Sequence, residues 1–255
     1  MRATIDGVGE VESELLISAD GGGSAVRGVV LPDIRAQYAG YVAFRGLVPE
    51  EQLPRAAADL LRDRFTFFEY PRSHMLVYLV AREDLSVAPG SRRYNWVWYR
   101  NADEETELEP MLTDRTGLRR ESGVAPGMLA PEVERVLREA AREQLPWPMR
   151  MLIEATREPF VQAIVDLEVP RMVHGRVALL GDAAFVPRPH TAASTSKAAA
   201  NVLALVEALE AEPDVTHALR KWEPGQLQLG RYLRRWGQML GDRSQFPDRG
   251  ETVQW

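Results

Sequence analysis

Residues 177–209, VALLGDAAFVPRPHTAASTSKAAANVLALVEAL, contain the sequence features that decide the fold. Four apolar residues precede Gly181-Asp182-Ala183-Ala184, and a proline-rich loop then leads to an alanine-rich stretch at 195–209. A short apolar run that ends at a glycine is typical of a buried strand, and alanine-rich sequence favours a helix. The segment therefore predicts a strand–loop–helix unit of an α/β fold.

This predicted unit places two kinds of ligand-binding group at one edge of a sheet. Asp182 follows the strand, and ligands of open α/β sheets bind at the carboxyl ends of the strands. Thr195 and Ser196 can cap the helix, whose first amides carry about half a positive charge and suit an anionic ligand atom. A carboxylate that accepts hydrogen bonds from hydroxyl groups, next to amides that donate to an anionic atom, would suit a flavin. The alternative is an ordinary buried corner between a strand and a helix.

The N-terminal residues predict a hairpin, closed by an Asp6-Gly7 turn, that leads into a buried strand at 13–19 with neighbours on both sides. The glycine-rich residues 20–27 follow this strand. They do not form a dinucleotide-binding fingerprint, because the third glycine would fall at Val26 and Pro32 ends the helix soon afterwards. We interpret the segment as a tight strand-to-helix turn.

The middle of the chain alternates strand and helix patterns. Aromatic residues that alternate with others in RYNWVWYR predict a strand at 93–100. Apolar patterns predict further strands at 38–47, within 65–80, and at 160–167. Helices are predicted at 54–64, 131–143 and about 224–240.

Composition excludes several classes of protein. The 255 residues contain no cysteine, which removes disulfides, thiolate metal sites and a thiol nucleophile, and the histidines lack the spacing of a metal site. The net charge of -6 argues against a nucleic-acid-binding face. No apolar run reaches the roughly 18 residues of a membrane span, and the first residues lack the pattern of a signal peptide. A cytoplasmic location is therefore expected.

Two segments carry a resemblance to a known family. Gly181-Asp182-Ala183-Ala184, with Pro187, Pro189 and the alanine-rich helix, resembles the second FAD motif of class A flavoprotein monooxygenases of the para-hydroxybenzoate hydroxylase type. Asp20-Gly21 with Arg27, after an apolar strand, resembles the Asp-Gly motif of the same family. The segments that look most like its 2,6-dihydroxypyridine 3-hydroxylase branch are residues 40–47, 94–101 and 189–193.

The resemblance implies an α/β fold built on an FAD-binding, Rossmann-like domain of the glutathione-reductase type. Residues 1–30 and 160–255, which include C-terminal helices, would belong to that domain, and residues 31–159 would form an inserted substrate domain with a mixed β-sheet. In the family a GxGxxG strand–turn–helix precedes the Asp-Gly motif, and this sequence contains no match to it. We therefore expect an incomplete FAD-binding domain that by itself holds FAD weakly or not at all.

The resemblance also implies FAD as cofactor and NADH or NADPH as reductant, with a small aromatic substrate and O₂. Such enzymes hydroxylate an electron-rich aromatic or hydroxypyridine ring through a flavin C4a-hydroperoxide. One alternative is a catalytically inactive remnant that only binds a ligand or a partner. Another is a flavin reductase or a dehydratase on the same scaffold. The resemblance leaves homodimer formation open.

Roles for cofactor-binding residues follow from the matching motif positions. Asp182 would bind a ribityl hydroxyl of FAD, and Pro189 would shape the backbone beside the isoalloxazine ring. The amides near Thr195 and Ser196 would face the pyrimidine edge of the ring, where charge develops on reduction. The complete set of predicted cofactor-binding residues is Asp20, Gly21, Arg27, Gly181, Asp182, Pro189, Ser194, Thr195 and Ser196.

Predictions for the catalytic and substrate-binding residues rest on fewer sequence features than those for the cofactor-binding residues. His190 could orient or deprotonate a hydroxypyridine, and it is the candidate catalytic residue. Arg45 could pair with an acidic substrate oxygen, or be exposed or ion-paired. Trp96, Trp98 and Tyr99 alternate across the strand, so some of them could contact the substrate ring and others would lie in the core. The sequence departs from the common family pattern, which puts cofactor affinity in doubt, at Phe185, Asn201 and Ala192-Ala193-Ser194.

Overall fold

A computed structural model describes residues 2–249 of the chain. Its strands are β1 (Arg2–Ile5), β2 (Gly9–Glu12), β3 (Leu16–Ser18), β4 (Gln37–Pro49), β5 (Thr66–Tyr70), β6 (Ser73–Val80), β7 (Arg93–Asn101), β8 (Gly123–Val124), β9 (Phe160–Glu168), β10 (Val173–His174), β11 (Val177–Leu179) and β12 (Phe185–Val186). Its α-helices are α1 (Ala25–Val30), α2 (Arg55–Leu61), α3 (Leu108–Leu112), α4 (Pro131–Gln144), α5 (Trp147–Ala155), α6 (Ser194–Ala211) and α7 (Val215–Gln245). Single 3₁₀ turns lie at Glu50–Gln52, Gly181–Ala183, Pro189–Thr191 and Pro247–Arg249.

The described residues form two compact units. The first unit comprises residues 2–37 and 165–241, and the second comprises residues 38–164 and 242–249. The predicted domain boundaries, at 30/31 and 159/160, stay predictions. No helix among residues 2–249 combines the length and the apolar character that crossing a bilayer requires.

The first unit is built on a three-stranded sheet in the order β10-β11-β3. β11 runs parallel to β3, with Val177 opposite Leu16 and Leu179 opposite Ser18. Helices α6 and α7 cover this sheet through a buried apolar cluster that includes Leu205. The other buried members of this cluster are Val169, Met172, Val173, Ala178, Leu179, Leu180, Ala184, Phe185, Leu219 and Trp222.

Two elements of this unit differ from the sequence prediction. β3 is shorter than the predicted buried strand, and Ile17 is 49% exposed, because in the described part of the chain β3 pairs with β11 on one side alone. Helix α7 begins at Val215 and not near Pro224, which lies inside it. Proline costs a helix one hydrogen bond. The helix continues there because Trp222 is buried beside the proline and Glu223 accepts hydrogen bonds from the amides of Met172 and Val173.

The second unit is a mostly antiparallel sheet with helices on one face. Its strands lie in the order β9-β4-β7-β6-β5, and β8 pairs with β9. The register of β4 and β7 sets Phe44 opposite Trp98 and Gly46 opposite Trp96. The predicted strand segment at 65–80 is a hairpin of β5 and β6, and the predicted strands at 38–47 and 93–100 are confirmed as β4 and β7.

Alternation along β4 and β7 gives this sheet two different faces. One face, with Val42, Phe44, Trp96 and Trp98, belongs to a large core that also contains buried residues of α2, α4 and α5. The opposite face forms a smaller cluster that contains Tyr41, Ala43, Val97, Tyr99 and Phe246. The predicted mixed α/β architecture is present in the described residues.

Two glycines of α7 provide a test of how tightly this helix packs on the first unit. A Cβ at Gly230 would lie 2.4 Å from a ring carbon of the buried Phe185, whereas a Cβ at Gly225 would meet nothing within 4 Å. We expect Gly230→Ala to lower the free energy of unfolding by about 1–3 kcal/mol, the usual cost of overpacking. Gly225→Ala should raise it by about 0.5–1 kcal/mol through helix propensity.

Urea denaturation followed by circular dichroism would measure both variants of this pair. Equal changes of the same sign would contradict the packing of α7 against Phe185.

Candidate functional site

Parallel pairing brings two distant segments to the same edge of the sheet in the first unit. The amide of Leu180 donates to the carbonyl of Ser18 at 2.8 Å, which extends the β3–β11 ladder by one residue. Asp20 follows β3 and Asp182 follows β11, so both carboxylates leave the sheet at the carboxyl ends of neighbouring parallel strands. The two motifs that the sequence singled out are therefore neighbours in the fold.

The Asp20 side chain organises its own turn. Its Oδ1 accepts a hydrogen bond from the Ser18 hydroxyl at 2.5 Å, and its Oδ2 accepts one from the Ala25 amide at 2.9 Å, at the start of α1. Burial alone would raise the pKa of Asp20, but hydrogen bonds from the Ser18 and Ser24 hydroxyls and from backbone amides outweigh burial and lower the pKa. Gly21 has a φ of 81°, a conformation that favours glycine. Asp20 and Gly21 thus define the shape of this turn, and their cofactor contact stays a prediction.

Arg27 joins the two turns. Its side chain is buried, and it donates from Nη1 to the Ala183 carbonyl at 3.0 Å and from Nη2 to the Gly22 carbonyl at 2.5 Å. Each turn contributes one carbonyl, so the guanidinium fixes them to each other. The prediction that Arg27 also binds the cofactor stays a prediction.

Helix α6 packs against the Gly181 turn. Gly181 has a φ of 59°, and a Cβ there would lie 3.2 Å from the Ala198 side chain. Its amide donates to Asn201 Oδ1 at 3.0 Å, and Asn201 Nδ2 donates to Gln226 Oε1 at 2.9 Å. An aspartate at position 201 could not donate this second bond, so Gln226 would have to turn its amide and donate to the carboxylate instead. Both polar atoms of the Asn201 side chain therefore have hydrogen-bond partners within the chain.

Lys197 is the residue of this site that the sequence analysis missed. Its side chain is 1% exposed, and its ammonium lies 2.7 Å from Asp182 Oδ1 and also donates to the Phe185 carbonyl. Burial lowers the pKa of Lys197, and the hydrogen bond and negative charge of Asp182 oppose that effect. The sequence did contain a signal, since Lys197 is one of only two lysines and follows the predicted cap residues directly.

The first turn of α6 presents backbone donors. The helix begins at Ser194, one residue earlier than predicted, and its N-cap is Ala193, which offers no side-chain cap. Thr195 and Ser196 therefore do not cap the helix, because the Pro189–Thr191 turn and the left-handed Ala192 bring the chain into the helix earlier. Both residues are exposed in its first turn, where amide groups lack intrahelical acceptors.

The loop between the Asp182 turn and α6 is fixed by a buried ion pair. Arg188 and Asp166 lie 2.9 Å apart with side chains 7% and 8% exposed, and Gln238 Nε2 donates to Asp166 at 3.0 Å. This pair precedes Pro189, which is exposed, and His190, which is half-buried. The loop that carries both predicted site residues is therefore anchored to β9 and α7.

The predicted substrate residues lie in the second unit. Trp96 and Trp98 are fully buried, and their indole groups donate to the Thr156 and Ser73 hydroxyls, each at 2.8 Å. This is the core placement that the sequence left open as an alternative. Arg45 donates to Gln162 Oε1 at 2.9 Å and lies over the Phe160 ring.

The face of the sheet opposite the tryptophans carries further polar aromatic residues, of which the sequence had indicated Tyr99 but not His74 or Tyr41. His74 and Tyr99 lie with ring centres 5.8 Å apart, and Tyr41 contacts Tyr99 edge to face. Burial lowers the pKa of His74 and raises that of Tyr99, so the described surroundings favour the neutral forms of both. No group of three or more metal-ligand side chains occurs within residues 2–249.

Comparisons with known protein families and with individual proteins agree on the family of this chain. A family model described as FAD binding domain-like matches residues 38–166, and the chain belongs to this family. The chain is 36% identical over 221 residues, 87% of its length, to 2,6-dihydroxypyridine 3-monooxygenase of Paenarthrobacter nicotinovorans, of which it covers 54%. It is 30% identical over 244 residues, 95% of its length, to 3-amino-4-hydroxybenzoate 2-monooxygenase of Streptomyces cremeus, of which it covers 53%.

A solved structure confirms the fold. The structure of 2,6-dihydroxypyridine-3-hydroxylase from Arthrobacter nicotinovorans superposes with a TM-score of 0.90 at 32% identity, covering 99% of this chain and 63% of that one. The predicted α/β fold and the resemblance to FAD-dependent aromatic hydroxylases are thereby confirmed. The chain spans about half the length of the curated relatives it matches.

Arg27 allows a direct test of how the two turns are joined. Arg27→Met keeps the apolar stem but removes two charge-assisted hydrogen bonds, one of them to the carbonyl of the buried Ala183, and should lower the free energy of unfolding by about 2–4 kcal/mol. Arg35 also donates to backbone carbonyls, of Pro32 and Ile34, but is exposed. Arg35→Met should change the stability by less than about 0.5 kcal/mol.

Chemical denaturation of the two variants beside the unaltered chain would make this comparison. If Arg27→Met proved as mild as Arg35→Met, the guanidinium would not be what holds the turns together.

Proposed function

We propose that this chain contributes the flavin and substrate sites of an FAD-dependent monooxygenase, which consumes NADH or NADPH and hydroxylates an electron-rich aromatic or hydroxypyridine ring. The observation that carries the proposal is the meeting, at one sheet edge, of the Asp182 turn and the first turn of α6. Membership of the FAD binding domain-like family and the names of the two monooxygenase relatives support it.

The donor and acceptor groups of the first unit fit FAD. The Asp182 side chain is 36% exposed and has a second carboxylate oxygen besides the one that Lys197 contacts, so it can accept a hydrogen bond from a ribityl hydroxyl. The first-turn amides of α6, at Ser194, Thr195 and Ser196, would donate to the pyrimidine edge of the ring. Negative charge placed on that edge is stabilised by the positive end of the 18-residue helix.

Bound FAD would supply the redox chemistry, with NADH or NADPH as the two-electron reductant and O₂ as the oxidant. Overall, one oxygen atom enters the ring as a hydroxyl group, the other leaves as water, and the reductant is oxidised. The residues of this chain bind and orient the reactants. His190 would orient the ring hydroxyl or accept its proton at a ring nitrogen, which raises the electron density of the ring.

Arg45 is the substrate contact for which the second unit offers support. Its Nη1 donates to Oε1 of Gln162, a neutral side chain. An acidic substrate oxygen would bring to the guanidinium the negative charge that this contact lacks. A hydroxypyridine or a hydroxybenzoate would carry such an oxygen.

A cytoplasmic location would supply the reduced nicotinamide cofactor.

The cofactor site is tested by Asp182→Ala. Removing a hydrogen bond from a ligand to a carboxylate costs about 1.5–3 kcal/mol, so the dissociation constant for FAD should rise roughly tenfold or more. Asp33→Ala, at an exposed aspartate of the same unit, should leave it unchanged. Fluorescence titration with FAD would measure all three proteins, and equal dissociation constants would refute the assignment of Asp182.

The role of His190 is tested by His190→Gln, which keeps a polar group but removes the titratable proton. In the FAD-loaded protein, hydroxylation of 2,6-dihydroxypyridine should slow by roughly a hundredfold, with FAD affinity unchanged. His217→Gln is the matched control, because His217 is 51% exposed and pairs with Glu212. A His190→Gln variant with an unaltered rate and pH profile would show that this histidine takes no part in proton transfer.

A further inference from the structure

Lys197 occupies a position that is unfavourable for a lysine in two respects. Its side chain is almost completely buried, and an isolated buried ammonium is strongly disfavoured. It also lies in the first turn of α6, where the positive end of the helix dipole opposes a cation. Neither helix formation nor core packing requires an ammonium at this position.

The contacts of the ammonium indicate what it does. It reaches Asp182 Oδ1 at 2.7 Å and the carbonyl of Phe185, two groups on either side of the Ala183-Ala184 turn. One cation thus ties the beginning and the end of this turn to α6. The Asp182 carboxylate, which is 36% exposed, has one oxygen held by Lys197 and a second with which it can bind a ligand.

The chain also contains a natural comparison for this ion pair. Lys221, the other lysine, contacts Glu212 at 2.9 Å, but its side chain is 60% exposed and the pair lies near the start of α7. Exposed pairs of this kind contribute little to stability. Variants of the two lysines therefore allow the effect of a buried ion pair beside the candidate site to be compared with that of an exposed ion pair elsewhere.

We propose that Lys197 is a positioning residue for the flavin site: its buried ammonium fixes the Asp182 carboxylate in the orientation that binds the ribityl chain. The inference rests on the proposed function, since it names a residue that acts on the flavin through Asp182. It assigns to Lys197 no contact with the isoalloxazine ring. The effect of removing Lys197 should therefore depend on the ribityl chain and on Asp182.

Two ligands distinguish this role from a general effect on the site. Riboflavin carries the ring and the ribityl chain without phosphates, and lumiflavin carries the same ring with a methyl group in place of the ribityl chain. Binding of both would be measured by fluorescence titration to the unaltered chain, Lys197→Met, Asp182→Asn, the double variant and Lys221→Met. Lys197→Met should still fold, because Asp182 is partly exposed and can be hydrated without its partner. Circular dichroism and a cooperative thermal transition would check this.

The expected result is a roughly tenfold weaker affinity of Lys197→Met for riboflavin and an unchanged affinity for lumiflavin. In the Asp182→Asn background, Lys197→Met should cause little further loss, because the two residues act as one unit. Lys221→Met should match the unaltered chain with both ligands.

Any of the following outcomes would overturn the inference. Equal losses for riboflavin and lumiflavin would show that Lys197→Met disturbs the whole site, and additive losses with Asp182→Asn would show independent action. A loss in Asp182→Asn with none in Lys197→Met would refute the role of Lys197 and leave the proposed function intact. If the unaltered chain bound FAD but neither of these ligands, the inference alone would fail, and if it bound none of the three, the proposed function would fail as well.

Discussion

The parallel pairing of β3 with β11 is the constraint on which the rest of the candidate site depends. Two strands that are far apart in the sequence become neighbours, with Leu179 opposite Ser18, and both end at the same edge of the sheet. The turns that follow the two strands therefore lie next to each other, and Arg27 donates to a carbonyl in each of them. Without this pairing, Asp20 and Asp182 would be unrelated surface aspartates.

Helix α6 converts this sheet edge into a place where an anion-bearing ligand could bind. Its first turn supplies amide donors, Asn201 holds the Gly181 amide, and Lys197 holds the Asp182 carboxylate. The donors and acceptors are therefore oriented before any ligand is present. Such preorganisation matters most where charge develops during a reaction, because no reorientation is then needed.

The sequence predicted those parts of the structure that depend on local pattern. The strand–loop–helix of residues 177–209, the alternating strand at β7 and the glycine turn after Asp20 all follow from periodicity and turn chemistry. The uninterrupted α7 could not be predicted, because packing of Trp222 and the Glu223 contacts outweigh the local effect of Pro224. Lys197 was missed for a similar reason, since its burial and its partner Asp182 are properties of the tertiary fold.

Amide NMR spectra of the nitrogen-15-labelled chain at saturating FAD would show whether the Asp182 turn and the first turn of α6 form one flavin site. If they do, the largest changes in chemical shift will occur at the amides of residues 181–183 and 194–197, with little change in β5 and β6. Shift changes confined to other parts of the chain, with both of these turns unaffected, would contradict it.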